Sequence, residues 1–389
     1  MKNRLTQSLV LSSFLTALPL AGNMALAQSS DPIIIGLATA KTGIMASYDG
    51  PADAGAKLAV ADINANGGVL GRQLQLVSAD TQSDVAQGAV AAAQVIEEGA
   101  QFVIVSCDFD QGAPATVAAT GANRIAFSTC AASPKFDVAG LGPLAYTMAT
   151  AAPAEGKLLA QFAYKQQNWR KAYVLFDTLD EYNNSICAGF KEEWSQLGGT
   201  LTGEDTFVNS DASIAAQVTR FKSTGAESEF IFMCSSVPGG VTAIRQLRAA
   251  GVDTPIVTDD AMDGNYWLDA VPNLNNVYLA TYASIFGDDA NPKVNQFVED
   301  YKKLAGAHPD TSHAATGYSV IEALALAIEQ AGSTDTEKVQ EKLNSFKDVP
   351  LLVGPTSFSA DSHINSRSMA ILHIQDGAPR FYMNFDVTK

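Results

Sequence analysis

What most limits the fold of this chain is an alternation that runs, stops and starts again. Short apolar, β-branched runs bounded by turn residues alternate with segments of helical period. In the first set, 33–38 (IIIGLA), 73–80 (QLQLVSAD), 102–106 (FVIVS) and 125–129 (IAFST) read as strands. Helices are predicted between them, over about 51–64, 84–99 (capped by Asp84) and 113–123. A helix over 153–166 opens the second set, with strands at 172–177, 200–207, 230–234 and 255–259 and helices at 185–197, 213–223 and 240–250. Repeated strand–helix–strand units run their strands parallel, so each set predicts a parallel sheet with helices on both faces. Helical stretches at 292–304, 314–331 and 336–345 follow, then β-rich segments at 368–374 and 380–387. The predicted class is therefore α/β, built from two doubly wound units of about 120 residues each.

The first 27 residues stand apart. Lys2 and Arg4 precede an apolar segment over 9–20, and Ala25-Leu26-Ala27 supplies a small-x-small cleavage pattern, so a signal peptide cut before Gln28 is expected. That segment is short and broken by Ser12, Ser13, Thr16 and Pro19, which argues against a membrane anchor. No cysteine follows the cut to carry a lipid, and no later run approaches the ~20 apolar residues of a spanning helix. The mature protein is expected to be soluble and periplasmic. Taking away Lys2 and Arg4 leaves 23 basic against 41 acidic residues, a net charge of −18. Such a balance excludes nucleic acid and anionic membranes as natural partners.

Enzyme signatures are scarce. The chain has no G-x-x-x-x-G-K-[ST], G-x-S-x-G or H-E-x-x-H motif, and GLATAKTG after the first strand lacks the glycines of a dinucleotide loop. No cofactor is expected. His308, His313, His363 and His373 share no ligand-like spacing with carboxylates, so surface or packing roles are expected of them. Cys107, Cys130, Cys187 and Cys234 lack C-x-x-C spacing, which points away from structural zinc, and an even count in an exported chain suggests two disulfides. Cys107 and Cys130 follow the third and fourth strands and would meet if those strands are neighbours; Cys187 and Cys234 could pair likewise. As a nucleophile Cys107 is disfavoured, because adjacent Asp108 and Asp110 would raise its pKa. Asp110, just before the helix predicted from about 112, could be its cap; paired with Asp108, it could instead hold a metal in an exported enzyme. Ligands of open α/β sheets bind beyond the carboxyl ends of strands, which makes Asp108-Phe109-Asp110 and Ala131-Ala132-Ser133 candidates for a cleft floor.

The run GLATAKTGIMASYDGPADAGAKLAVADINANGGVLGRQLQLVSADTQSD, with RQLRAAGV (245–252) and ATGYSVIEALALAIEQAG (315–332), resembles type I periplasmic substrate-binding proteins of ABC transporters, in the leucine/isoleucine/valine-binding branch. The likeness covers essentially the whole mature chain. It implies two lobes joined by three hinge segments, near 147–152, 280–284 and 353–356. Lobe 1 would be 28–150 plus 284–353, and lobe 2 would be 151–283 plus 354–389. It implies a monomeric carrier that closes on a small solute and docks on a membrane permease, or the same module serving a receptor. By position it assigns Tyr48 to the ligand's rim, Ala131 and Ser133 to an α-carboxylate or α-amino group, and Asp260 to an ammonium. Tyr182 and Tyr318 become aromatics near the cleft. Asp108-Phe109-Asp110 stands where the branch has small hydroxyl residues, and Ser236 where it often has tyrosine. With Asp260 and without an evident arginine, these changes favour an amine-bearing ligand, with Phe109 as an apolar or cation–π surface.

Overall fold

The computed structural model of the protein describes residue 1 and residues 31–386. Apart from its first residue, the signal peptide expected at 1–27 lies outside the described residues. The first unit runs β1 (Ile33–Thr39), α1 (Ala46–Ala65), β2 (Leu74–Asp80), α2 (Val85–Glu97), β3 (Phe102–Val105), α3 (Phe109–Gly121), β4 (Ile125–Ser128), the single turn α4 (Val138–Leu141) and β5 (Ala145–Thr147). Its sheet has the order β2-β1-β3-β4-β5 and is parallel throughout. The chain builds outward from β1 to one side and then to the other, so the loops after β1 and β3 diverge at a topological switch point.

The second unit repeats the plan with α5 (Ala152–Gln161) continued by a π turn, β6 (Lys171–Asp177), α6 (Glu181–Gln196), β7 (Thr200–Phe207), α7 (Ala215–Thr224), β8 (Phe230–Cys234), α8 (Gly239–Ala249), β9 (Ile256–Thr258) and β10 (Val277–Thr281). The chain then supplies α9 (Pro292–Ala305), α10 (His313–Ala331) and α11 (Thr336–Leu343). A small pair, β11 (Val349–Leu351) and β12 (Gly354–Thr356), precedes the terminal hairpin of β13 (Met369–Gln375) and β14 (Ala378–Phe385). The second sheet has the order β14-β13-β10-β9-β8-β6-β7. Its core is parallel, while β13 and β14 join antiparallel at one edge, so the predicted parallel lobe carries a mixed margin. The second switch point lies between β6 and β8.

Helix α10 returns to the first unit and packs along α1. The two approach so closely that a Cβ on Gly55 would meet the Ala314 carbonyl oxygen at 1.8 Å, and one on Gly317 the Ala52 carbonyl oxygen at 2.0 Å. Helices α5 and α6 meet over Gly156 and Gly189 in the same way. One apolar core runs from the α1–α10 face of the first sheet to the α5–α6 face of the second, and separate clusters fill the outer faces. Beyond residue 356 the chain still lies on the first unit. Phe358 packs on Phe127 and Tyr146, His363 stacks on Tyr146 at 3.8 Å, and the passage to the second sheet comes only before β13.

Some predicted boundaries move for identifiable reasons. Helix α1 starts at Ala46, not near Pro51; a proline inside the helix forgoes only the bond to the Ser47 carbonyl. Helix α3 starts at Phe109, and its cap is Asp108, which accepts from Gln111 N–H at 3.1 Å; Asp110 sits in the first turn. Asp84 caps α2 as expected. β5 and β10 went unread because each is short and buried on both faces, without alternation to mark it.

Candidate functional site

Both switch points open toward each other, and between them lies a cavity of about 270 Å³. Ile44 and Met45 come from the loop after β1, Cys107 and Asp108 from the end of β3, and Cys130 and Ala132 from the end of β4. Across the gap, Leu179 and Asp180 follow β6, Ser236 and Val237 follow β8, and Asp260 and Ala261 follow β9. Tyr48, Asp110, Gln111, Tyr182 and His313, from the first turns of α1, α3, α6 and α10, complete the wall. Both disulfides form, Cys107–Cys130 with Cα atoms 4.6 Å apart and Cys187–Cys234 with 5.8 Å. The first lies in the cavity wall and ties the β3 and β4 loops. Among the described residues, its cysteines and His313 are the only close group of potential metal ligands, and the bridge takes both sulfurs.

The loop ends are held by buried acids. Asp49, which the sequence reading left unassigned, accepts from Ala40 N–H (2.7 Å), Ser106 Oγ–H (2.6 Å) and Cys107 N–H (2.8 Å), pinning the β1 and β3 loops to α1. Burial raises its pKa, and pushes that of Asp53 to about 7 with help from the Asp49 charge. On the far side Tyr182 Oη bonds to Asp260 and to Glu155 Oε2 (3.2 Å), while Glu155 Oε1 accepts from Asp260 N–H at 2.9 Å. One hydroxyl proton cannot serve two carboxylates. Burial and the Asp260 charge lift Glu155 well above the carboxylate range, so Glu155 supplies its own proton. Asp260 stays ionised, because His313, 3.6 Å from its Oδ2, and the Tyr182 and Glu155 hydrogen bonds outweigh its burial.

Tyr48 joins the two units. Its hydroxyl donates to the Ala261 carbonyl at 3.0 Å and accepts from Val237 N–H at 3.3 Å, while its ring meets His313 edge-on at 5.6 Å. Glu181 N–H donates to Asp110 at 3.3 Å, and Lys135 pairs with Glu181 at 2.7 Å; exposed pairs of this kind stabilise little. The conformation is thus one in which the two units touch across the cavity mouth. Asp108, buried beside Asp110, has its pKa raised to about 6, and burial with the nearby Asp108 charge takes Asp180 to about 7. Among the described residues no lysine or arginine lines the cavity.

Six of the ten residues expected in the site line the cavity: Tyr48, Asp108, Asp110, Tyr182, Ser236 and Asp260. The other four do not. Phe109 turns from the cavity toward the core against α2 and α3, with the Lys135 ammonium 5.9 Å from its ring centre. Ala131 is fully buried, its N–H donating to Ser128 Oγ at 2.9 Å, and Ser133 Oγ accepts from Lys135 N–H at 3.1 Å. Tyr318 follows His313 by five residues, about 140° around the helix, so it points away from the cleft. It bonds to Asp62 at 3.0 Å and packs on Phe297. His313 is the converse correction: expected to be ordinary packing, it stands in the wall. His363 and His373 do pack, stacked on Tyr146 and Tyr278, and His308 is exposed.

The sequence profile of the family described as periplasmic binding protein matches residues 32–379. The chain belongs to the periplasmic binding proteins. It is 26% identical over 349 residues to the Leu/Ile/Val-binding protein homolog 3 of Brucella melitensis, covering 89% of this chain and 92% of that one. It is 27% identical over 339 residues to the leucine-, isoleucine-, valine-, threonine-, and alanine-binding protein of Pseudomonas aeruginosa, covering 86% and 88%. Among solved structures, the branched-chain amino acid transporter substrate-binding protein LivJ of Streptococcus pneumoniae, in complex with isoleucine, superposes with a TM-score of 0.79 at 25% identity, over 90% of this chain and 99% of that one. A benzoate-bound solute-binding protein of R. palustris shares the fold at a TM-score of 0.76 and 16% identity. Among the described residues no helix is long and apolar enough to cross a membrane.

Proposed function

We propose that this periplasmic binding protein is the non-catalytic solute receptor of an ABC importer, capturing a small amine-bearing solute between two lobes and presenting the closed form to a membrane permease. The observation that carries this is the cavity itself. Its walls come from the strand ends of both units, and its polar side chains are carboxylates and hydroxyls with the Gln111 amide and the His313 imidazole, and no lysine or arginine among the described residues opposes them. Such a site captures by matching buried polar groups to those of a ligand, and discriminates by leaving a wrong ligand unpaired. The relatives named above, an isoleucine complex among them, support a ligand on the scale of an amino acid.

Lobe 1 is then 31–150 with 284 to about 365, and lobe 2 is 151–283 with the terminal hairpin. Between them run three hinge segments, the third near 366–368 because Phe358 and His363 stay on the first unit. Hinge closure of this kind is a familiar repertoire of two-lobed receptors. Export by the signal peptide, a monomeric state and service to a permease belong to the same proposal. The test is mass spectrometry of solute retained by protein purified from the periplasm, followed by calorimetry with the compound found. A retained solute bearing an amino or ammonium group is expected; tight binding confined to anionic acids without an amino group overturns the reading.

A further inference from the structure

The cavity wall narrows the solute class further, on the footing that this cavity is the solute site. We infer that it takes a compact organic cation carrying no carboxylate, a primary amine or an amine-bearing amide, in preference to a zwitterionic amino acid or an acid.

A carboxylate buried in a cleft must be met by a cationic side chain or by several N–H and O–H donors, and helix N-termini are the usual place for it. Here the chain's own acids already sit there. Asp108 takes the Gln111 N–H at the start of α3 (3.1 Å), and Asp180 takes the Asn183 N–H at the start of α6 (2.8 Å). Other backbone donors along the same loops are answered from within. Cys107 N–H donates to Asp49 (2.8 Å), Ala131 N–H to Ser128 Oγ (2.9 Å), Asp260 N–H to Glu155 (2.9 Å) and Val237 N–H to Tyr48 Oη (3.3 Å). Tyr48 gives its hydroxyl proton to the Ala261 carbonyl and Tyr182 bonds to Asp260. His313, among the described residues the one lining group able to become a cation, faces Asp260 at 3.6 Å.

Acceptors, by contrast, are in excess. Asp108, Asp110, Asp180 and Asp260 all line the cavity. An ionised carboxylate offers about four lone-pair sites, and the bonds just described leave some open on each. An ammonium donates three bonds and has nothing to accept, which fits this wall. The Gln111 amide and the Ser236 hydroxyl, neutral dipoles, can serve a carbonyl. Ile44, Met45, Leu179 and Val237 receive an alkyl body of modest size. Were a solute carboxylate brought in, it would stand among four acids with no lysine or arginine of the described residues to offset it.

Four probes on one branched skeleton test this: leucinamide, isoamylamine, leucine and 4-methylpentanoate, titrated calorimetrically into unliganded protein at neutral pH. The expected result is that leucinamide and isoamylamine bind at least about tenfold tighter than leucine and that 4-methylpentanoate does not bind. Asp260→Asn should weaken the amines about tenfold or more, and Asp108→Asn, which keeps a competent helix cap, should shrink the leucinamide-to-leucine ratio. Leucine binding as tightly as leucinamide overturns this inference and leaves the amine receptor standing. Binding of 4-methylpentanoate alone, or of none of the four, overturns both. If either variant fails to fold, the ranking of the four compounds on the unaltered protein still decides.

Discussion

Replacing Tyr48 by phenylalanine removes one oxygen and, with it, a hydroxyl of α1 that bonds to the backbone of the opposite unit across the cleft. In the closed form that oxygen donates to the Ala261 carbonyl at 3.0 Å and accepts from Val237 N–H at 3.3 Å, and it is buried. In an open form both backbone groups are free to bond water, so the change acts on closure and spares the fold of either lobe. Each hydrogen bond contributes about 0.5–1.5 kcal/mol net, which puts the loss at roughly 1–3 kcal/mol. Ligand affinity is reduced by the fraction of closure-competent protein lost, so Kd should rise about 5- to 150-fold. The edge-on contact with His313 survives in phenylalanine, so the ring's packing is a built-in control. Stopped-flow dissociation with the tightest-binding amine, alongside equilibrium calorimetry, should place most of the effect in the off-rate. An unchanged Kd with an unchanged melting temperature refutes the assignment of Tyr48 as the latch.

Three further outcomes follow from the same geometry. Cys107→Ser with Cys130→Ser opens a loop of 23 residues' separation and should cost about 3 kcal/mol in denaturant midpoints, with weaker ligand binding because the bridge lines the cavity; the Cys187/Cys234 pair should cost as much or slightly more with little effect on affinity. Burial holds Asp108 at about 6 and Asp180 at about 7, above unfolded aspartate at ~3.9, so the unliganded protein should lose stability as pH rises from about 4 to 7. An ammonium beside them favours the ionised forms: amine affinity should climb over that window and binding near pH 6 should release protons, read from calorimetry in two buffers, whereas affinity falling between pH 5 and 8 contradicts the site. Gly55→Ala or Gly317→Ala should destabilise by about 1–3 kcal/mol and weaken binding, because the added methyl drives α1 from α10 and so separates Tyr48 from His313; a neutral effect in thermal melts would discredit that contact.

Much of this architecture is legible in the residue pattern because parallel strands flanked by helices announce themselves as apolar runs between amphipathic ones. The strands at 33–39, 74–80, 102–105 and 230–234 lie within a residue or two of their predicted bounds. The site is harder to read, because it depends on which loops meet and which way a helix turns. Asp108 and Asp110 could be placed at a strand end, and they line the cleft; that Asp108 caps α3 while Phe109 faces the core follows from where the helix begins, and sequence put that start three residues late. Tyr318 and His313 share one helix, and only its docking on α1 decides that the histidine faces the cavity. Asp49 and Glu155 carry no motif. Their roles come from burial, which the sequence around them does not mark.

Small-angle scattering on the protein freed of solute and then saturated with an amine addresses the hinge and the cargo together. Two lobes closing over an ammonium-bearing guest should shrink the radius of gyration on saturation, reversibly and with the same midpoint as the calorimetric titration. A curve that does not change while heat of binding is recorded contradicts a cleft that shuts on its ligand.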